Sequence, residues 1–333
     1  MRAAFYRRTG PAAEVLELGT LPDPEPGPGE VLVRLRASGI NPADVKRRAG
    51  WRGAGMDHPL VIPHADGAGE IVGLGAGVDP ARLGQRVWLW NAQGGYGAPG
   101  RAFGTAAELI ALPAEQAVPL PAALGFAAGA CLGIPAMTAH RTVFADGPVA
   151  GQTVLIAGAG GAVAHFAVQF ARHGGARVIG TAGSPERAAH ARAAGAEAVI
   201  DRHAEDVAAW VMDLTGGQGV DRVIEVDFAA NQATDLAVLK PNGIIAAYSS
   251  TSDPAPMLDY YGLQTKGATL RTIQGFSLPE TARRAGEAAI AELAAAGALR
   301  VAIGRRLPLE RIAEAHDLVE RGAVIGNVVL EIG

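Results

Sequence analysis

The stretch from Thr153 to His173 constrains this chain more than any other. An apolar run, Val154-Leu155-Ile156-Ala157, enters Gly158-Ala159-Gly160-Gly161-Ala162-Val163-Ala164, and a helical pattern follows to His173. A strand, a tight glycine turn and a helix N-terminus together make an anion site. Missing Cβ atoms let the backbone approach a pyrophosphate, and free N–H groups with the helix dipole attract its charge. Glycine spacing alone is weak evidence in a chain with Gly 45 among 333 residues, but the strand before it and the helix after it strengthen it. Gly158, Gly160, Gly161, Ala162 and Val163 are the expected cradle, with Ala164 in the place where a small residue permits close helix–sheet packing.

The rhythm continues as alternating strands and helices. Strands are expected at Arg177–Thr181, Ala198–Ile200, Asp221–Val226 and Gly243–Ala247, with a helix over Pro185–Ala194 that carries Pro in its first turn. Apolar strands between helices indicate a parallel sheet covered on both faces. Before about residue 122 the pattern differs. Val31, Val33 and Leu35 alternate with Leu32, Arg34 and Arg36, and short strands fit Ile71–Leu74, Arg86–Trp90 and Ala107–Leu112 between glycines and prolines, which reads as a small β-barrel or sandwich. After about residue 260 come a strand around Leu270, an Ala-rich helix through Leu293, a helix near Ala313 and a last strand, Val328–Ile332. That tail either extends the parallel sheet or returns to the first domain; periodicity does not choose.

Composition narrows the function classes. Charged residues are 19% and the net charge is −4, against a dedicated nucleic-acid binder. The one cysteine, Cys131, rules out an intrachain disulfide and any zinc site needing two Cys. The N-terminus lacks an apolar signal region, and Ala122–Ala139, uncharged but mostly Ala and Gly with Pro135 inside, reads as a buried, broken helical segment rather than a membrane span. A soluble, cytoplasmic protein is expected.

An NAD site usually places an acid about 20 residues after the glycine turn. Here the second strand ends Val178-Ile179-Gly180-Thr181-Ala182-Gly183-Ser184 with no acid, while Arg187 and Arg202 follow. A hydroxyl and guanidinium groups suit a 2′-phosphate. Glu186 is a counterweight, and an exposed helix charge is the plainer reading of Arg187.

In order along the chain stand Gly39-Ile40-Asn41-Pro42-Ala43-Asp44, Asp66-Gly67-Ala68-Gly69, Gly104-Thr105-Ala106-Ala107-Glu108, Gly133-Ile134-Pro135 with Thr138-Ala139, the glycine turn, and Gly180-Thr181-Ala182-Gly183. With these motifs the chain resembles, nearly end to end, the zeta-crystallin-like quinone oxidoreductases, a zinc-independent branch of the medium-chain dehydrogenases/reductases. The resemblance implies a GroES-like β-barrel catalytic domain from residues 1–122, a Rossmann domain with a doubly wound parallel sheet from 123–260, and a segment, 261–333, completing the catalytic domain. It also implies NADPH as cofactor, hydride transfer to a quinone or similar electron-poor acceptor, and a homodimer or homotetramer. By the family's motif, Gly183, Ser184, Arg187 and Arg202 surround the 2′-phosphate. Asn231, Tyr248, Ser249, Ser250 and Thr251 border adenine and ribose. Thr138 lies near the nicotinamide, with Thr272, Ile273 and Gln274 closing over it. The family's Gly-Gly-Val-Gly is Gly161-Ala162-Val163-Ala164 here, a tyrosine common after Asn-Pro is Lys46, and a tyrosine before Ala-Glu is Ala106.

Asn41 stands where zinc alcohol dehydrogenases carry their first Cys ligand, and His64 has no neighbouring Cys, so a packed or hydrogen-bonding His is the reading there. Without a Lewis acid, an activated acceptor is the natural substrate. Asn41, Lys46 and Arg52 are the candidate catalytic donors to its developing anion. Lys46 has three readings: it contacts the nicotinamide ribose, it stabilises an enolate or hydroquinone anion, or it forms a solvated helix face with Arg47 and Arg48. Asp44 positions Lys46 or caps the turn at Asn41-Pro42. Trp51, Trp88, Trp90 and Tyr96 line an acceptor pocket or belong to the core. The glycine-rich segment 94–104 is a lid or a surface loop. His140 is structural. The alternatives in function are a reductase of activated C=C bonds in enones or alkenals and, in a different class, an NADPH-binding protein with a structural or regulatory role.

Overall fold

The structure, a computed structural model, describes residues 1–94 and 100–333. Tyr96 and the middle of segment 94–104 lie outside the described residues. Strands in the first part of the chain are β1 (Arg2–Phe5), β2 (Glu17–Thr20), β3 (Glu30–Ile40), β4 (Asp66–Leu74), β5 (Arg86–Leu89), β6 (Leu109–Pro113) and β7 (Ala117–Pro119). Those of the middle are β8 (Thr153–Ile156), β9 (Arg177–Ala182), β10 (Ala198–Asp201), β11 (Val220–Glu225), β12 (Leu239–Ala247) and β13 (Thr269–Thr272). The tail adds β14 (Ile303–Pro308) and β15 (Asn327–Glu331).

Two compact units result, Met1–Pro135 with Glu287–Gly333, and Ala136–Gly286. The chain thus passes between them after Pro135 and again after Gly286, whereas the sequence rhythm changes near 122 and 260. The tail takes both of its open courses: β13 pairs in parallel with β12, while β14 and β15 join the sheet of the first unit.

In the first unit the 11-residue β3 organises the sheet, whose order is β14-β15-β3-β4-β5-β7. Its first half pairs with β6 from Glu30 to Arg34, its second half with β15 from Ala37 to Ile40, and β4 runs along most of it. The alternation seen in the sequence is the physical one. Val31, Val33 and Leu35 are buried with Ile71, Val87, Leu89, Ile110 and Leu112, while Arg34 and Arg36 face water.

The second unit holds a six-stranded parallel sheet of order β10-β9-β8-β11-β12-β13. Numbered within the unit this is 3-2-1-4-5-6, the doubly wound dinucleotide-binding order, in which ligands sit beyond the carboxyl ends of the strands. Helices Ala162–His173, Pro185–Ala194, Val207–Leu214, Phe228–Val238 and Tyr260–Lys266 connect the strands. The uncharged segment 122–139 is broken as expected, into Phe126–Gly129, a π-helical turn Leu132–Ala136 containing Pro135, and Met137–Phe144. Among the described residues no helix is long and apolar enough to cross a membrane.

Candidate functional site

In the second unit the chain leaves β8 into the glycine turn. Gly158 has φ +61°, a left-handed conformation that glycine adopts without strain, and its N–H donates to Thr181 Oγ1 at 3.0 Å. Ala159 N–H donates to the Thr181 carbonyl at 2.8 Å, so the turn is pinned to the end of β9. Gly161 begins the 12-residue helix with no side-chain cap, which leaves the first-turn N–H groups for an anion. Gly160 is a close approach: a Cβ there would meet Arg187 Cβ at 2.7 Å. Ala164 is fully buried in the helix–sheet contact, while Ala162 and Val163 stay partly exposed at the turn.

The residues expected around a 2′-phosphate make two contacts, Arg202 on Gly183 and Arg187 on Gly160. Arg187 Nη1 lies 3.5 Å from the Gly160 carbonyl. The Arg202 guanidinium covers Gly183, its Nη2 and Nε 3.1 and 3.2 Å from where a side chain would start, and His203 Nε2 is 3.1 Å from the same point. Ser184 Oγ accepts from Arg187 N–H at 3.3 Å, capping Pro185–Ala194. Glu186 is fully exposed, its carboxyl held below the usual range by backbone and Ser184 hydrogen bonds. His203 was not foreseen; a histidine directly after Arg202, where the chain leaves β10, was the available signal.

The remaining expected residues follow the carboxyl ends of β11, β12 and β13. Asn231 Nδ2 donates inward to Glu225 Oε1 at 2.9 Å. Tyr248 N–H bonds the Glu225 carbonyl at 3.0 Å, and burial and Glu225 push its phenol up. Ser249 Oγ meets Thr251 Oγ1 at 2.9 Å, while Ser250 Oγ donates to the Asp253 carbonyl at 2.5 Å and accepts from Ala229 N–H at 3.2 Å. Thr272 ends β13, Ile273 N–H donates to the Ala247 carbonyl at 2.8 Å, and Gln274 Oε1 accepts from Phe276 N–H at 3.3 Å. Thr138 lies against this segment, with its Oγ1 only 2.1 Å from the place a Gly275 Cβ would occupy. His140 is buried against Phe144 and Phe170, as a structural histidine would be.

In the first unit Asn41 precedes the helix Pro42–Ala49. Asp44 caps it by accepting Asn41 N–H at 2.7 Å, and burial raises its carboxyl to about 6. Asn41 Nδ2 donates to Asp66 Oδ2 at 2.7 Å, and both Asp66 oxygens lie 2.9 Å from Ile134 N–H. The basic residues do not form one solvated face. Lys46 Nζ lies 4.6 Å and the Arg52 guanidinium 5.5 Å from the Trp51 ring centre. Arg47 Nη1 donates to Gln93 Oε1 at 3.0 Å, and Arg48 is buried with its Nη2 2.6 Å from Glu320 Oε2. Trp51 is exposed, whereas Trp88 and Trp90 are buried, which corrects the pocket reading for those two: β5 turns Trp88 into the interior.

His64 is engaged by hydrogen bonds, and the donors can be assigned by elimination. Thr105 Oγ1–H donates to the Asp66 carbonyl at 2.6 Å, so Ser38 Oγ–H donates to Thr105 at 2.7 Å. His64 Nδ1–H then donates to Ser38 at 2.8 Å, and His64 Nε2 accepts from His316 Nε2–H at 2.9 Å. Both rings are neutral, because burial lowers His64 to about 3 and holds His316 well below the ordinary value. His64 takes φ +81°, strain that this network holds in place.

The profile described as "Alcohol dehydrogenase GroES-like domain" matches residues 27–122, and "Zinc-binding dehydrogenase" matches 162–300. A quinone oxidoreductase of Pseudomonas aeruginosa is 31% identical over 99% of this chain and 98% of its own. The chain belongs to the zeta-crystallin-like quinone oxidoreductases of the medium-chain dehydrogenase/reductase superfamily. It is therefore an oxidoreductase with a GroES-like and a Rossmann domain. A 2-haloacrylate reductase of Burkholderia is 29% identical over 99% of this chain and 98% of its own. A mycobacterial protein solved in complex with NADPH superposes with TM-score 0.86, 28% identity and 100% coverage of both chains. The zinc in the second profile's description does not fit the donors here. Cys131 is the one cysteine, buried with its thiol pushed up, both His64 nitrogens are engaged, and among the described residues no three His, Cys, Asp or Glu side chains gather.

Proposed function

We propose that this protein passes a hydride from NADPH to a quinone or similar electron-poor carbonyl acceptor without zinc. The observation that carries the cofactor reading is the Arg202 guanidinium over Gly183, with Arg187 in the first turn of the helix that Ser184 caps and no acid at the end of β9. The first-turn amides of Ala162–His173 would hold the pyrophosphate, and the two guanidiniums the 2′-phosphate. Thr138 and the Thr272–Gln274 segment would border the nicotinamide. When bound, NADPH supplies the hydride; every other contribution is the protein's.

Lys46 is the best placed donor for the anion that develops on the acceptor, because its ammonium stands at an exposed aromatic ring beside Arg52. Asn41 acts more through position, its amide being held by Asp66. The donor set supports chemistry without a Lewis acid: one buried cysteine, and an amide where a thiolate ligand would be needed. Reduction of an activated C=C bond is the second reading, favoured by the haloacrylate reductase among the relatives. We further propose a homodimer or homotetramer, supported by the exposed Met257, Tyr260 and Tyr261; a monomer's mass in light scattering would overturn this. NADPH and NADH oxidation across quinones, enones and aldehydes, with product analysis, tests the reading. Turnover restricted to enones selects the second reading, and NADPH binding without turnover selects a non-catalytic role.

A further inference from the structure

Glu225 ends β11, and Asn231 and Asp235 lie one helical turn apart on Phe228–Val238, so both can face it. Glu225 and Asp235 are buried at 0% and 2% exposure. Glu225 Oε1 is satisfied twice: it accepts from Asn231 Nδ2 at 2.9 Å and from Asp227 N–H. Glu225 Oε2 and Asp235 Oδ2, by contrast, have no donor. The two carboxyl groups are within hydrogen-bonding reach of each other. Two carboxylates cannot satisfy each other; burial and a neighbouring acid raise both, Asp227 acting on Glu225 and Glu225 on Asp235. One proton resolves both orphaned oxygens at once.

We propose that Glu225 and Asp235 share one proton, and that the pair so joined is a positioning device for the adenosine-side wall of the cofactor site. This rests on the NADPH reading above. Asp235 holds the proton and donates it to Glu225. Glu225, kept in place, fixes Asn231 and the start of the helix through Asp227. The Asp227 carboxylate in turn accepts from Ser252 Oγ at 2.8 Å, and Phe228 N–H donates to the Ser249 carbonyl at 3.1 Å. The 248–252 segment therefore hangs on the β11 end. Burial and the Glu225 charge raise Asp235 to about 9. The other titratable groups facing the pair are Asp227, which raises Glu225, and the Tyr248 phenol at the end of β12, itself pushed up by Glu225. Loss of the proton leaves two buried negative charges opposed, and the wall loosens.

The test compares the natural chain with Asp235→Asn, which keeps a donor toward Glu225 but cannot ionise. NADPH affinity is titrated by fluorescence from about pH 7 to about pH 10. The natural chain should lose affinity at least about five-fold across the upper half of that range, and the variant should stay within about two-fold. Parallel losses in both chains overturn the proposal. The unliganded chains give an independent readout. Asp235→Asn should melt higher than the natural chain by a margin that widens with rising pH, and a margin that does not change overturns the shared proton. If neither chain binds NADPH at pH 7, the cofactor reading fails while the melting series still decides the proton.

Discussion

The Arg202 guanidinium lies over Gly183, 3.1 Å from the point where any side chain at that position would begin. The missing side chain at Gly183 thereby leaves room for a positive charge where an NAD site would carry an acid.

Arg187→Ala should weaken NADPH use. A hydrogen bond to a charged group is worth roughly 1.5–3 kcal/mol, or about 10- to 150-fold in affinity. KM for NADPH should rise on that scale while KM for NADH stays nearly constant; equal rises for both would assign Arg187 to the turn alone.

Gly160→Ala should act on the same contact from the other side. The added methyl meets Arg187 Cβ at 2.7 Å and the Arg187 carbonyl at 3.1 Å, so the start of Pro185–Ala194 must move. We expect at least about ten-fold weaker NADPH binding with a melting temperature lowered by only a few degrees, about 1 kcal/mol of strain. Unchanged binding in a calorimetric titration would show that the turn does not approach the cofactor.

Much of this was readable in the sequence, and the rest was not for physical reasons. Pro185–Ala194 could be bounded to the residue because Ser184, Pro185 and Gly195 mark a cap, a first turn and a stop. The helices Val207–Leu214 and Phe228–Val238 carry no clear sequence signal, since the first exposes Trp210 and the second carries Asn231 and Asp235 toward Glu225, which blurs the apolar stripe. β14 was hidden because Arg305 and Arg306 occupy an exposed edge strand. Nothing beside Arg48 in the sequence marks it as buried; its partner Glu320 lies 272 residues later. The His64–His316 pair likewise spans 252 residues, beyond any local pattern.

Lys46→Met should lower kcat with a quinone by about 100-fold, the usual cost of removing a donor to a developing oxyanion, with NADPH affinity retained. Stopped-flow hydride transfer reads this directly. A selective rise in KM for NADPH would instead place Lys46 on the cofactor.

Acid should unfold the protein partly through His64 and His316. Their folded values lie below the ordinary 6.5, His64 at about 3, so the unfolded chain binds more protons once the pH drops below 6.5. The stabilisation is complete above 6.5 and is lost as pH falls toward about 3, at up to about 2.7 kcal/mol per pH unit for two protons. His316→Gln keeps a donor toward His64 and removes one of the two protons. Its denaturation midpoints should depend on pH with about half the histidine slope. An unaltered slope would mean that His316 is not neutral in the fold.

The most direct test is a pair of calorimetric titrations of the natural chain with NADP+ and NAD+. NADP+ should bind at least about ten-fold more tightly, the lower limit of a charged hydrogen bond to the 2′-phosphate. Equal affinities, or a preference for NAD+, would contradict it.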